Sequence, residues 1–99
     1  METVVCNDLK MKEWNLFYWK DVREREVDFV VCDGLKPLSL IQVCDWIEDE
    51  KVMKRETAPL LLAAEELGVK DLILLTGTAP ALPTPKGIRV VTLLDWLME

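Results

Sequence analysis

Histidine is absent from the sequence. Its loss removes Ser-His-Asp and Cys-His nucleophilic catalysis and the commonest ligand of transition-metal sites. Cysteine is scarce: Cys6, Cys32 and Cys44 are odd in number and include no C-x-x-C pair. Neither a secreted disulfide framework nor a zinc knuckle follows, and buried free thiols are expected. No apolar run is long enough to cross a bilayer, and the opening "METVVCNDLK" carries acids where a signal peptide carries basic residues. A cytoplasmic protein without a membrane partner is the expectation. Positive charge is also in deficit, 12 basic against 18 acidic residues for a net charge of −6. The basic residues are scattered, so nucleic-acid binding by this chain alone is disfavoured.

What remains is apolar and patterned. With 51% hydrophobic and 30% charged residues in 99, the chain suits one α/β domain over residues 1–99, large enough to bury a single core. Val5, Leu9 and Met11 recur at helical spacing between Thr3 and Lys12. "WNLFYWKD" and "VDFVVC" read as strands around the charged turn "DVRERE", and "DGLKP" is a turn before the strand "LSLIQVC". Helical composition then runs to Gly68. The helix starts either near Thr57, with that threonine as N-cap, or near Val52 with a disturbance at Pro59, and the longer version is favoured.

"VKDLILLT" and "IRVVTLL" give two more strands about the loop "GTAPALPTPKG", and "LLDWLME" closes the chain as a helical turn laying Leu94 and Trp96 or Leu97 on the sheet. The loop lacks the G-x-x-x-x-G-K-[ST] spacing of a Walker A motif. The order α-β-β-β-α-β-β-α predicts a sandwich with a mixed sheet. Its core should include Val27, Phe29, Val31, Ile41, Val43, Leu61, Ile73 and Leu75, with Trp14, Trp19, Trp46 and Trp96 closing the edges. An unpaired edge strand in so small a sheet invites pairing into a homodimer.

Asp28 lies within one apolar run, and Gln42 and Cys44 alternate in the next. Strand periodicity allows all three to project from one sheet, a placement suited to metal ligands. The order of elements resembles the PD-(D/E)xK nucleases, whose core runs helix, three strands, helix, strand. More closely, "FYWKD...REVDFVV", "KPLSLIQVC", "KRE", "ELGVKDLILLT" and "IRVVTLLDWL" resemble the C-terminal domain, of unknown function, of archaeal and bacterial P-loop ATPases.

The resemblance spans nearly the whole chain and implies a restriction-endonuclease-like three-layer sandwich, either freestanding or the C-terminal fragment of a larger ATPase. In the nuclease pattern the second-strand aspartate and third-strand acid bind Mg²⁺, and a lysine two positions on assists the attack. The matching positions are Asp28, Gln42 and Cys44. Gln42 supplies a neutral oxygen in place of a carboxylate, and Cys44 no fixed positive charge.

The constellation therefore reads as a vestigial site, with no catalytic set intact and no metal or cofactor expected. Asp28 and Gln42 should bond to each other and Cys44 should fill the core. The implied role is non-catalytic docking to an ATPase domain in cis or in trans. The alternative is a Mg-dependent nuclease or Holliday-junction-resolvase-like enzyme whose ligands are Asp28, Glu26 and Glu2.

Overall fold

A computed structural model describes residues 2–11, 14–23 and 25–98. Among them run α1 (Glu2–Met11), β1 (Asn15–Lys20), β2 (Glu26–Asp33), β3 (Lys36–Cys44), α2 (Glu50–Leu67), β4 (Asp71–Thr76), β5 (Ile88–Thr92) and α3 (Leu93–Met98). The strands form a single five-stranded mixed sheet in the order β1-β2-β3-β4-β5. β1, β2 and β3 are antiparallel neighbours; β4 lies parallel to β3 and β5 parallel to β4. Short turns suffice for the antiparallel half, whereas each parallel pair needs a crossover, supplied by α2 and by the loop 77–87.

Local chemistry explains the turns. Asp21 accepts from the main-chain N–H groups of Arg23 and Arg25, each at 2.9 Å, and its second oxygen takes the Arg25 guanidinium at 2.6 and 2.7 Å. This folds the charged segment back on itself as an Asx-type turn. At the β2–β3 turn Gly34 adopts φ 62°, a left-handed conformation that a residue with a Cβ adopts at a cost.

α2 begins earlier than a Thr57 cap would allow, because Asp49 accepts the Val52 N–H at 3.0 Å and caps the helix. Thr57 is instead mid-helix and buried, its hydroxyl donating to the Met53 carbonyl at 2.7 Å. Pro59 lies inside the helix, where its ring nitrogen has no N–H to donate to the Arg55 carbonyl, and α2 nevertheless runs as one helix from Glu50 to Leu67. Gly68 ends the helix at φ 69°.

Two clusters cover the two sheet faces. On one, Met53, Leu60 and Ala63 of α2 meet Val27, Val30, Leu40, Leu72 and Leu74. On the other, Val5 and Leu9 of α1 and Trp96 of α3 meet Phe29, Val31, Ile41, Ile73 and Leu75. Val27 and Phe29 take opposite faces although they are two positions apart, where strict alternation predicts the same face. A bulge is the cause: Phe17 pairs with Val30 but Trp19 with Val27, so Tyr18 alone faces Asp28 and Phe29.

Several expected core members are elsewhere. Leu61 is 47% exposed, because Leu60 and Ala63 present the helix face that meets the sheet, and Val43 is half-buried. Trp19 and Trp96 are buried, the former donating to Glu66 at 2.9 Å, but Trp14 and Trp46 are exposed. β5 stops at Thr92; in the closing helix Trp96 is buried in the core and Leu93 packs against it, while Leu94 and Leu97 are exposed. None of the described helices is long and apolar enough to cross a membrane.

Candidate functional site

β2 and β3 pair regularly at Phe29–Ile41 and Val30–Leu40, and the bulge bends β2 just before this point. Main-chain groups beyond it take side-chain partners. The Asp28 N–H donates to Gln42 Oε1 at 3.1 Å, and the Val43 N–H donates to Asp28 Oδ2 at 2.8 Å. Each polar side chain thus replaces a ladder bond on the opposing strand. A buried N–H left without an acceptor costs about 1–3 kcal/mol, which gives both residues a structural reason to be polar.

Gln42 is buried, and its amide continues to α2, donating from Nε2 to Glu56 Oε2 at 3.2 Å. Asp28 borders a hollow on the other side of the sheet, beside Cys6 and Lys10 of α1 and Phe29 of its own strand. Gln42 and Cys44, two positions apart, both turn to the α2 side as their spacing predicts, whereas Asp28 borders the α1 side, so the three do not share one face. The bulge that displaces Phe29 accounts for it.

Cys44 packs at the margin of the α2 cluster, and its Sγ lies 3.4 Å from the Trp46 carbonyl oxygen. Burial, and then the negative charge of Glu56, push its thiol above the ordinary cysteine value. It remains a protonated, neutral group at neutral pH, chemically unlike the lysine of the nuclease pattern.

Glu26 has an ion pair of its own, 3.7 Å from Lys20 across the β1–β2 pair, with its side chain about half exposed. Glu2 opens α1, but its side chain lies outside the described residues. No group of three or more Cys, Asp or Glu side chains among the described residues is arranged to hold a metal ion.

Glu56 is the member of this network that sequence reasoning missed. It follows the buried Met53 by three positions and precedes the buried Leu60 by four, so helical geometry puts it beside the sheet-facing stripe. An acid at that phase was the available signal for a buried hydrogen-bond donor opposite. The arrangement as a whole can join two diverging strands and tie them to a helix; it offers no pair of free, convergent carboxylates. The chain matches no protein-family model, no curated protein and no solved structure.

Proposed function

We propose that this chain is a nuclease-like α/β module without nuclease activity, which docks to a P-loop ATPase domain in the same or another polypeptide. The observation that carries the first half is the double link at the β2–β3 divergence: Asp28 holds the Val43 N–H and Gln42 holds the Asp28 N–H. A ligand for Mg²⁺ must turn its oxygens to the ion in near-octahedral geometry. Here the residues at the two acid positions of the nuclease pattern are acceptors for strand N–H groups, and one of them is neutral. The element order, helix, three strands, helix, strand, agrees with the core of a restriction-endonuclease-like sandwich. The docking half rests on the resemblance of "FYWKD...REVDFVV" and "IRVVTLLDWL" to the ATPase-associated domain.

Calorimetric titration with Mg²⁺ and incubation with linear and four-way-junction DNA test the catalytic half. No saturable heat and no cleavage are expected. Asp28→Ala should lower stability by about 1.5–3 kcal/mol, the range for a hydrogen bond to a charged acceptor, whether or not Mg²⁺ is present. Mg²⁺-dependent cutting that disappears in Asp28→Ala would overturn the reading. For the docking half, the chain is sedimented with the P-loop domain encoded in frame with it or beside it; failure to form a complex rejects that partner class.

A further inference from the structure

On the α1/α3 side of the sheet a hollow of about 210 Å³ opens over Val31, Ile41 and Ile73, a buried apolar floor supplied by β2, β3 and β4. Two indoles border it. Trp96 is buried beside the floor, while Trp14, whose main-chain N–H donates to the Leu9 carbonyl at 3.4 Å, keeps 40% of its surface exposed. Ser39 of β3, Asp71 of β4 and Arg89 of β5 are its polar lining. The Ser39 hydroxyl donates to Asp71 Oδ2 at 2.7 Å, and Arg89 Nη2 donates to Asp71 Oδ1 at 3.1 Å. A concave apolar surface with a few converging polar groups is the usual form of a small-molecule site.

Lone pairs narrow the ligand. A carboxylate has about four lone-pair sites, and each Asp71 oxygen uses one for Ser39 or Arg89, so each oxygen keeps capacity for one more donor. Two adjacent N–H groups on one rigid edge match that pattern. Arg89 has further N–H groups and requires an acceptor next to the pair. We propose that the hollow binds guanine as the free base or nucleoside, its N1–H donating to Asp71 Oδ1, its amino group to Oδ2, and its carbonyl oxygen accepting from Arg89. The order of atoms agrees: the carbonyl adjoins N1, and Arg89 is the group at Oδ1. Trp14 and Trp96 supply aromatic surface for the ring.

Size limits the ligand to one ring or a small bicycle, since a cavity of about 150 Å³ holds benzene. Other planar compounds fit the polar lining less well. Adenine presents a single donor beside a ring-nitrogen acceptor, which sets lone pair against lone pair at Asp71. An aromatic amidine has the two donors but brings a positive charge to Arg89 and no acceptor for it. A phosphate chain finds no cation but Arg89 in the lining, and the net charge of −6 opposes it, so a base or nucleoside is preferred to a nucleotide or a nucleic-acid strand. The site is independent of the docking role. Asp71 and Arg89 are both partly exposed, so water competes for their hydrogen bonds and the affinity is modest.

Titration of the full chain with guanosine, followed by amide chemical shifts and tryptophan fluorescence, tests this. Saturable shifts should centre on Ser39, Asp71, Ile73 and Arg89, with a Kd of roughly 0.1–1 mM. Guanosine methylated at N1, which lacks one donor, and adenosine should each bind at least about tenfold more weakly. Asp71→Asn, which turns an amide against the ring donors, and Trp14→Ala, which removes one aromatic wall, should each weaken guanosine binding at least about tenfold. Unchanged circular dichroism and melting will show that each variant is folded, and the methylated nucleoside probes the ring edge with the parent protein itself. Trp46→Ala, at an exposed indole outside the hollow, should bind as the parent does. No saturable shift up to the solubility limit of guanosine overturns the proposal. So does equal binding of the methylated nucleoside or adenosine, or guanosine binding that survives Asp71→Asn or is lost in Trp46→Ala.

Discussion

The two faces of the sheet are closed by different means. α2 covers one face with 18 residues in a single helix, capped by Asp49 and ended by Gly68, directly between the strands it crosses. α1 and α3 cover the other with 10 and 6 residues from opposite ends of the chain. Their link is a hydrogen bond from Trp96 Nε1 to Asp8 Oδ2 at 3.1 Å, between residues 88 positions apart. The first face closes through determinants close in sequence. The second brings together residues from opposite ends of the chain, which costs more loop-closure entropy, and the expectation is that this face opens locally before the other.

The largest test of this contrast is Phe29→Ala. Phe29 belongs to the sheet and is buried in the α1/α3 cluster, so its truncation attacks the weaker face from a strand both faces share. A loss of about 3–5 kcal/mol is expected from the urea midpoint. An unchanged midpoint would mean that the second cluster contributes little, and the comparison would fail.

A paired measurement sharpens it at smaller magnitude. Asp49→Ala removes the α2 cap and should cost about 0.5–2 kcal/mol. Trp96→Phe keeps the ring bulk in part and removes the donor to Asp8, for about 0.5–1.5 kcal/mol. The magnitudes overlap, so hydrogen exchange must separate them. Trp96→Phe should speed exchange in α1 and α3 while α2 keeps its protection; Asp49→Ala should act on the first turn of α2 and leave α1 unaltered. Equal acceleration everywhere in either variant would show one cooperative unit instead of two unequal faces.

The same contrast governs what could be read from the sequence. Elements follow from local signals, and the order of all eight was legible in apolar runs, turn residues and Gly68. Side-chain placement was less so. Leu61 adjoins Leu60 in an unbroken leucine run, and composition alone does not give the helix phase that puts one in the core and the other in solvent. Trp14 and Trp46 lie next to strands, where aromatics are normally buried, yet both are exposed.

At the candidate site, a structural hydrogen-bonding role for Asp28 and Gln42 was legible, but not its form: Gln42 accepts from the Asp28 main-chain N–H, and the Asp28 carboxylate accepts from the Val43 N–H. Their divergence to opposite sides was not legible either, because it depends on the bulge opposite Tyr18, a property of how β1 pairs with β2. Glu56 entered the network only once α2 had been laid against β3.

The smallest expected effect belongs to neither face and serves as their control. Burial by itself raises the pKa of the Asp21 carboxyl, but hydrogen bonds from the Arg25 and Arg23 main chain and the Arg25 guanidinium outweigh it, holding the group below the ordinary aspartate value. A carboxyl whose folded pKa is depressed adds stability above its unfolded pKa, about 3.9, and loses it as pH falls through the folded value. Acidification below that range should therefore loosen the β1–β2 turn. Asp21→Asn cannot titrate, so plotting its stability against pH should give a shallower acid limb than the parent shows, with the difference confined to that window. Since the turn joins β1 to β2 outside both clusters, exchange in α1, α2 and α3 should respond equally to the substitution. A steeper acid limb in Asp21→Asn, or a response confined to one face, would show that the turn is coupled to one of them and that the two faces differ for a reason other than how their helices are tethered.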